Sequence, residues 1–330
     1  MLDSKPSQDE EVLRTHDIAQ SILASVGQDR GGREVTSHNF SAMGTQFEFM
    51  GVGSDVDTLV ELAKYAQHLE MLWTRFHNDS ELMRANNSFG KPVDVSAETL
   101  ILFNEMKSGF QLTHGLFNPG VLDDLVKNGF DTSAVSKEFK TQWNGAVLPH
   151  VTVRDIFIDN ENCAITIPQG LAVDPGGIGK GLAADLLADR AMSQGMDGIC
   201  VFAGGEVAVR GDAPTSQGWT VGVENPHVEQ DYLDIVALHN GGLATSSTLA
   251  RTSSQGHHLI DPRTHRSAVT DLLQATVVCA RAVDAEVLTK MCFMLPIDLA
   301  IKEIERIGAD ALLIDDKLNR YETAGWENFV

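Results

Sequence analysis

A glycine-rich stretch in the middle of the chain, residues 171–185, constrains the fold more than any other part of the sequence. It opens with three apolar residues, 171–173, which predict a short strand that Asp174 and Pro175 end. Four glycines follow within residues 176–181, and from Leu182 the apolar residues recur at helical spacing. A strand, a glycine turn and a helix in this order direct backbone N–H groups at one point, where the field of the helix favours an anion.

The glycine turn has the composition of a phosphate site but not a known phosphate motif. Lys180 lies among the glycines and would add a positive charge, and Gly177 and its neighbours would let a phosphate approach the backbone closely. Gly181 stands where a Walker loop needs Ser or Thr, and the glycine spacing is not G-x-G-x-x-G. A plain tight turn that packs a helix on a sheet therefore remains an alternative.

The composition excludes several classes of partner. A formal charge of −21 argues against nucleic acid and against an anionic membrane surface, so an anionic ligand would need a local cationic pocket or a metal. No run of about 18 apolar residues predicts a membrane span, and no signal peptide is recognisable, so we expect a cytoplasmic protein. The four cysteines are scattered through apolar runs, which favours buried thiols over disulfides or metal ligands.

The distribution of patterns predicts the fold class. Helical periodicity dominates residues 55–130, and alternating strands dominate residues 150–280. This segregation favours an α+β fold over a doubly wound sheet. Residues 1–33 are predicted to be an N-terminal amphipathic helix and a linker, and residues 34–330 a single domain. We expect the strand at residues 311–315 to close the sheet.

Two clusters near strand ends carry polar chemistry. Gly204 and Gly205 interrupt two strands before Glu206, which indicates either a plain hairpin turn or the close approach of a ligand. Residues 243–268 are rich in hydroxyl groups, cations and histidines. Within them His258, with an Asp three residues later, could act as a general base, although a surface histidine is the commoner outcome.

A third cluster begins a helix after the last long strand. Asp284 and Glu286 lie in its first turns, where the helix dipole alone would favour carboxylates. The same two carboxylates could instead bind a hard cation through oxygen.

Taken in chain order, these segments resemble the ApbE family, the FAD:protein FMN transferases, over about residues 41–295. Six motifs in the right order carry the resemblance. They are residues 42–45 (AMGT), 75–82 (RFHNDSEL), 115–119 (GLFNP), 173–185 (VDPGGIGKGLAAD), 203–206 (AGGE), and 245–246 (TS) with 258–264 (HLIDPRT).

The resemblance implies a T-fold-like α+β architecture, with antiparallel sheets and flanking helices around a cleft for FAD. It also implies an enzyme that cleaves FAD, transfers FMN to a Thr or Ser hydroxyl of an acceptor flavoprotein and releases AMP, with Mg²⁺ on the pyrophosphate. A non-catalytic FAD-binding protein or carrier, and an FAD pyrophosphatase that gives FMN and AMP, remain alternatives.

The resemblance also assigns site residues by position. His258 would be the base that takes the proton of the acceptor. The Ala183 carbonyl and the Glu286 carboxylate would bind the metal. The family's metal-binding Thr falls on Lys290, which cannot ligate a metal while charged but could supply positive charge itself. Asp284 and Thr289 are further candidate ligands. The residues implied to contact FAD are Phe76, Phe117, Asn118, Pro119, Gly177, Lys180, Leu186 and Ile260.

Overall fold

An antiparallel sheet of eight strands forms the centre of the structure, a computed structural model that describes residues 31–133, 136, 138–143, 145–148, 150–228 and 231–330. The strands of the described residues, in order, are β1 (Val35–Ala42), β2 (Thr45–Val52), β3 (Val93–Asp94), β4 (Phe157–Asp159), β5 (Ala164–Thr166), β6 (Gly198–Ala203), β7 (Glu206–Gly211), β8 (Trp219–Glu224), β9 (Tyr232–Leu238), β10 (Gly241–Ser247), β11 (Thr252–Ser253), β12 (Gly256–His257), β13 (Ile260–Asp261), β14 (Arg266–Ser267), β15 (Leu272–Cys279), β16 (Asp310–Asp315) and β17 (Arg320–Glu322). The order across the large sheet is β1-β2-β6-β7-β10-β15-β16-β17.

The helices lie largely before and after the strand-rich part of the chain. They are α1 (Val56–Trp73), α2 (Glu81–Asn86), α3 (Ala97–Leu112), α4 (Leu122–Lys127), α5 (Gly179–Ser193), α6 (Ala282–Phe293) and α7 (Ile297–Ile307), with short 3₁₀ turns at Val153–Asp155 and Trp326–Asn328. The side chains of Asp55 and Ser96 cap α1 and α3, because they accept the N–H groups of Thr58 and Thr99.

The two faces of the sheet are covered differently. Helix α5 packs on β6 and β7, and α6 packs on β10 and β15, so both helices lie side by side on one face. The hairpin of β8 and β9 covers the other face, where Trp219 and Trp326 are fully buried. Because alternate residues of each strand point to opposite faces, both sets of apolar side chains are buried.

The α+β prediction with antiparallel strands is confirmed, and three local predictions are wrong. Residues 171–173 form no strand, because the N–H and C=O of Val173 bond to the side-chain amide of Asn86 at 2.8 and 2.9 Å. At the start of the region predicted to be rich in strands, residues 151–159, Val153–Asp155 form a 3₁₀ turn and only Phe157–Asp159 pair as a strand. The large sheet ends at β17, which pairs with the strand predicted to close it.

Residues 1–30, which hold the predicted N-terminal helix, lie outside the described residues, so the division at residue 33 stays a prediction. Within the described part of the chain, no helix combines the length and the apolar content that crossing a bilayer requires. All four cysteines are free thiols, and Cys200 and Cys292 are buried.

Candidate functional site

The glycine turn, residues 174–181, is held in place by bonds to distant parts of the chain. The N–H of Asp174 donates to the Pro119 carbonyl at 2.8 Å, and the Asp174 carboxylate accepts the N–H of Gly176 at 2.8 Å. Arg75 pairs with the same carboxylate at 3.2 Å, and both side chains are buried. The motifs around residues 75, 119 and 174 therefore meet at one point, as the resemblance requires.

Beyond the turn, helices α5 and α6 cap each other. The Asp185 carboxylate of α5 accepts the N–H groups of Ala282 and Val283 at 3.2 and 2.9 Å, at the start of α6. The Glu286 carboxylate of α6 accepts the N–H of Gly181 at 2.7 Å, at the start of α5. The anion at the N-terminus of α5 is thus a side chain of the protein itself.

The close contact of these helices explains one glycine of the turn. A Cβ at Gly181 would lie 2.6 Å from the carbonyl oxygen of Ala282, which is backbone and cannot turn aside. Gly181 is therefore required for helix packing, which is the plain alternative that the sequence left open.

Two lysines and two glutamates form a cluster between α5, α6 and β7, which we call the lysine–glutamate cluster: Lys180, Glu206, Glu286 and Lys290. Lys180 Nζ lies 2.8 Å from Glu206 Oε2 and 3.0 Å from Glu286 Oε1. Lys290 Nζ lies 3.6 Å from Glu286 Oε1 and 3.9 Å from Glu206 Oε1. Glu286 is 0% exposed and Glu206 2% exposed, whereas the side chains of Lys180 and Lys290 are 26% and 13% exposed.

Two hydroxyl groups complete the surroundings of Lys290. Its ammonium donates to Ser246 Oγ at 2.9 Å and lies 3.4 Å from Thr289 Oγ1. The two hydroxyls are 2.8 Å apart, and Thr289 Oγ1 donates to the Glu286 carbonyl at 2.7 Å. The cluster is therefore a closed network in which two ammonium groups balance two carboxylates.

Burial and the neighbouring charges shift the titration of the cluster. Burial would lower the pKa of Lys180, but Glu206 and Glu286 outweigh it and raise that pKa. Burial would raise the pKa of Glu286, but Lys180 and Lys290 outweigh it and lower that pKa. Burial raises the pKa of Glu206, whose Oε2 makes an ion pair with Lys180 but no aligned hydrogen bond. Burial lowers the pKa of Lys290, although the charges of Glu286 and Glu206 oppose this shift.

On the other side of the turn lie two guanidinium groups with free donors. Arg75 donates to the Phe130 carbonyl at 2.7 Å, yet its buried Nη1 has no partner within the described residues. Partial burial lowers the pKa of Arg251, and the nearby charge of Arg75 lowers it further. The nearby carboxylate of Asp174 opposes this shift. In the part of the chain that the structure describes, the Arg251 guanidinium has no ion pair or hydrogen bond.

His258 lies beside Arg251 and Phe130. Its backbone N–H and its Nδ1 both lie close to the Arg251 carbonyl, at 3.1 and 3.3 Å, so an Nδ1–H tautomer would leave Nε2 unprotonated. Partial burial, Lys290 and Arg251 lower the pKa of His258 to about 3, which keeps the ring neutral at neutral pH. Asp261 is not its partner, because Arg263 holds that carboxylate at 2.8 to 3.2 Å.

The aromatic residues border the turn. Phe117 is buried, and a Cβ at Gly177 would lie 3.2 Å from its ring and 3.6 Å from the Lys290 side chain. Phe117, Gly177 and Lys290 thus meet at one place. Phe76 carries the Arg75 guanidinium 4.9 Å above its ring.

The other residues assigned to FAD have mainly structural contacts in the described chain. The Asn118 side chain accepts the N–H of Gly120 at 2.8 Å, which shapes the turn before α4. Pro119 supports Asp174, Ile260 packs with Phe130 in a small apolar cluster, and Leu186 packs against the main core. None of these contacts tests a role in binding FAD, which stays a prediction for each.

The residues assigned to a metal are only partly brought together. Glu286 and Thr289 lie in or beside the lysine–glutamate cluster, and Ala183 is buried in α5. Asp284 instead pairs with Arg281 at 2.9 Å, and Arg281 also binds Glu105. Arg281 and Glu105 line a separate polar cavity of about 590 Å³. Among the described residues, no three His, Cys, Asp or Glu side chains form a group that could hold a metal ion.

Four residues lie at the site although the sequence predicted no role there for them. They are Arg75, Glu206, Ser246 and Arg251. Glu206, Ser246 and Arg251 lay in clusters noted for their polarity, and Arg75 begins one of the six motifs. Their roles depend on contacts across the fold, which no local pattern reveals. Gly204 and Gly205 form the plain hairpin turn between β6 and β7, and this turn places Glu206 in the cluster.

Comparison with solved structures gives the class of protein that this fold defines. The chain superposes on the crystal structure of the ApbE protein from Thermotoga maritima with a TM-score of 0.78, at 22% identity, over 90% of this chain and 99% of that one. It superposes on the flavin transferase ApbE from Vibrio cholerae with a TM-score of 0.76, at 22% identity, over 90% and 100% of the two chains. These likenesses show the fold.

Sequence comparison gives the family. The model of the ApbE family matches residues 43–313, and the chain therefore belongs to the ApbE family. A protein named FAD:protein FMN transferase from Klebsiella pneumoniae is 26% identical over 252 residues, 73% of this chain and 77% of that protein. One of the same name from Vibrio cholerae is 24% identical over 325 residues, 94% and 97% of the two chains.

Proposed function

We propose that this protein binds FAD, transfers FMN to a Thr or Ser hydroxyl of an acceptor flavoprotein, and releases AMP. The relatives named above carry that activity in their names, and the chain shares their family and fold. The observation in this chain that carries the proposal is Arg75, which pairs with Asp174 of the glycine turn and has a buried Nη1 without a partner among the described residues, with Arg251 close enough for the two charges to act on each other. In a chain of net charge −21, two arginines near the single carboxylate of Asp174 leave an excess of positive charge that favours an anionic ligand such as a pyrophosphate.

The chemistry that fits these residues is a phosphoryl transfer. The acceptor oxygen attacks the phosphorus of the FMN half, a new phosphoester bond forms, the bond to the AMP phosphate breaks, and AMP leaves. Such reactions depend mainly on positioning and on the neutralisation of charge. Arg75, Arg251 and Lys290 would supply positive charge, and neutral His258 would take the proton of the acceptor hydroxyl at Nε2.

Apolar residues would hold the rings of the dinucleotide. We assign Phe76 and Phe117 to these pockets, with Asn118, Pro119, Leu186 and Ile260 as neighbours and Gly177 as the place where the backbone can be approached closely. Lys180 is proposed to act on the pyrophosphate only indirectly, because Glu206 and Glu286 already engage its ammonium at 2.8 and 3.0 Å.

The residues present do not fit the Mg²⁺ ion that the resemblance implies. Mg²⁺ requires about six oxygen ligands in an octahedron, but Lys180 and Lys290 occupy the space between the two buried carboxylates. Asp284 is committed to Arg281. No step of the proposed reaction is therefore assigned to a metal.

A three-part assay separates the transferase from its alternatives. Purified protein is incubated with FAD alone, with FAD and N-acetylthreonine amide, and with FAD and a purified flavoprotein domain that has a Thr flavinylation site. Flavin fluorescence that stays with the denatured acceptor domain, together with equimolar AMP, is expected. AMP without acceptor would indicate an FAD pyrophosphatase, and bound, unchanged FAD would indicate a carrier.

The proposed partners follow from the same chemistry. They are FAD and an acceptor flavoprotein, and the acidic surface does not favour nucleic acid. We propose a cytoplasmic location, which fractionation of cells with an antibody to the protein would test.

A further inference from the structure

The ammonium of Lys290 lies in surroundings built from oxygen. Its neighbours are Ser246 Oγ at 2.9 Å, Thr289 Oγ1 at 3.4 Å, and one carboxylate oxygen each of Glu286 and Glu206 at 3.6 and 3.9 Å. Hydroxyl and carboxylate oxygens are the groups that hard cations prefer in proteins. The Lys290 ammonium thus lies where oxygen atoms of the kind that bind hard cations surround it.

The charges of this place are already balanced. Lys180 and Lys290 carry two positive charges, and Glu206 and Glu286 carry two negative charges. A divalent ion entering a neutral, buried cluster would meet two ammonium groups and would leave an uncompensated charge of +2. A buried site accepts a charge only when it is paired, so the cluster as built rejects the ion.

Lys290 is also held in position for a ligand at the glycine turn. A Cβ at Gly177 would lie 3.6 Å from Cγ and from Cε of Lys290, so the stem of the side chain runs along the turn. Its ammonium acts on His258, whose pKa it helps to lower. Lys290 therefore lies between the turn, the proposed base and the carboxylates.

We propose that the Lys290 ammonium is the resident cation of this site, so that the protein binds FAD and transfers FMN without a divalent metal. This inference rests on the proposed function and narrows it to a metal-independent reaction. It assigns to one side chain the charge that the resemblance gives to Mg²⁺.

The first test measures metal binding without any flavin. Apoprotein is titrated with Mn²⁺, and the free ion is followed by electron paramagnetic resonance. The wild type is expected to bind no Mn²⁺ at about 0.1 mM, a concentration on the order of the dissociation constant of a weak metal site. Lys290→Thr removes one charge and opens space beside the carboxylates, so it should gain one Mn²⁺ site at least about tenfold tighter than any binding by the wild type. Lys302→Thr, a change of an exposed lysine in α7, is the matched control and should behave as the wild type.

The second test measures FAD affinity with EDTA and with Mg²⁺. The wild type should bind equally in both. Lys290→Thr should bind weakly in EDTA and regain affinity with Mg²⁺, whereas Lys290→Met, which fills the space without a charge, should stay weak in both. Lys290→Met also keeps the second test available if the Thr variant does not fold.

Either of two results overturns the inference: stoichiometric Mn²⁺ binding by the wild type that Glu286→Gln abolishes, or wild-type FAD affinity that rises tenfold or more with Mg²⁺. If the wild type binds no FAD in either buffer, the proposed function fails. The Mn²⁺ titration of the apoprotein still decides whether Lys290 has taken the place of a metal.

Discussion

Asp185 and Glu286 each cap the helix that carries the other. Asp185 of α5 binds two N–H groups at the start of α6, and Glu286 of α6 binds the Gly181 N–H at the start of α5. The two N-termini that could attract an external anion are thus already matched with carboxylates. Under the proposed function, the arginines and Lys290 would therefore supply the affinity for a pyrophosphate.

We expect Glu286→Ala to destabilise the protein by about 3–5 kcal/mol, the range for breaking a buried ion pair. The variant leaves two ammonium groups near a single carboxylate and removes the cap of α5. Urea unfolding followed by circular dichroism measures the loss.

Glu303→Ala is the matched control for this change, because Glu303 makes an exposed pair with Arg306. It should cost less than about 1 kcal/mol. A Glu286→Ala protein as stable as this control would show that the carboxylate is not the centre of the cluster.

Two glycines of the turn should respond to alanine in opposite directions. A Cβ at Gly181 would meet the Ala282 backbone at 2.6 Å, so Gly181→Ala should cost about 1–3 kcal/mol through forced separation of α5 and α6. A Cβ at Gly179 would meet only the Pro175 Cβ, at 3.5 Å, so Gly179→Ala should be neutral or stabilising by up to about 1 kcal/mol. Thermal unfolding of the two variants compares them, and equal effects would refute the packing role of Gly181.

Local patterns predicted the elements of this fold well where periodicity and caps agree. Helix α1 carries its apolar residues at helical spacing after the Asp55 cap, within the region where helical periodicity predicted helices. The strand predicted at residues 171–173 is absent, and the side-chain amide of Asn86 takes the N–H and C=O of Val173 in place of a neighbouring strand. Periodicity in a window cannot reveal a partner so distant in sequence.

The site could be predicted only as a set of separate motifs. Glu286 was expected to serve its own helix or a metal, yet it caps α5 and binds Lys180, because α5 and α6 lie side by side. Arg251 gained importance only through its position near Arg75 and Asp174. Spacing along a chain carries no information on such contacts between elements, so the network could not be derived without the fold.

Arg251→Gln should weaken FAD binding about 10- to 100-fold, the range for losing a charge-assisted hydrogen bond of about 1.5–3 kcal/mol. Stability should change little, because this guanidinium has no partner among the described residues. Quenching of flavin fluorescence measures the affinity, and Arg306→Gln, an exposed arginine of α7, is the control. Unchanged affinity would remove the arginine pair as the anion site.

The shifted pKa of His258 predicts a pH dependence of stability. The folded protein holds this pKa at about 3, whereas an exposed histidine in the unfolded chain titrates near 6.5. Between these values the unfolded chain binds a proton that the folded protein does not. Stability is therefore fully present above about pH 6.5 and is lost as the pH falls, by at most about 1.4 kcal/mol per pH unit from this group.

His258→Asn should remove this contribution. As the pH falls from 7 to 5, the wild type should therefore lose more unfolding free energy than the variant. Urea unfolding at several pH values measures it. His265→Asn is the control, because His265 is exposed and has a φ of +60°, a conformation that Asn tolerates. The unfolding free energies of His265→Asn and the wild type should change with pH in parallel. Parallel curves for His258→Asn and the wild type would mean that His258 is solvated and free to take a proton, which its contacts with Arg251 and Phe130 argue against.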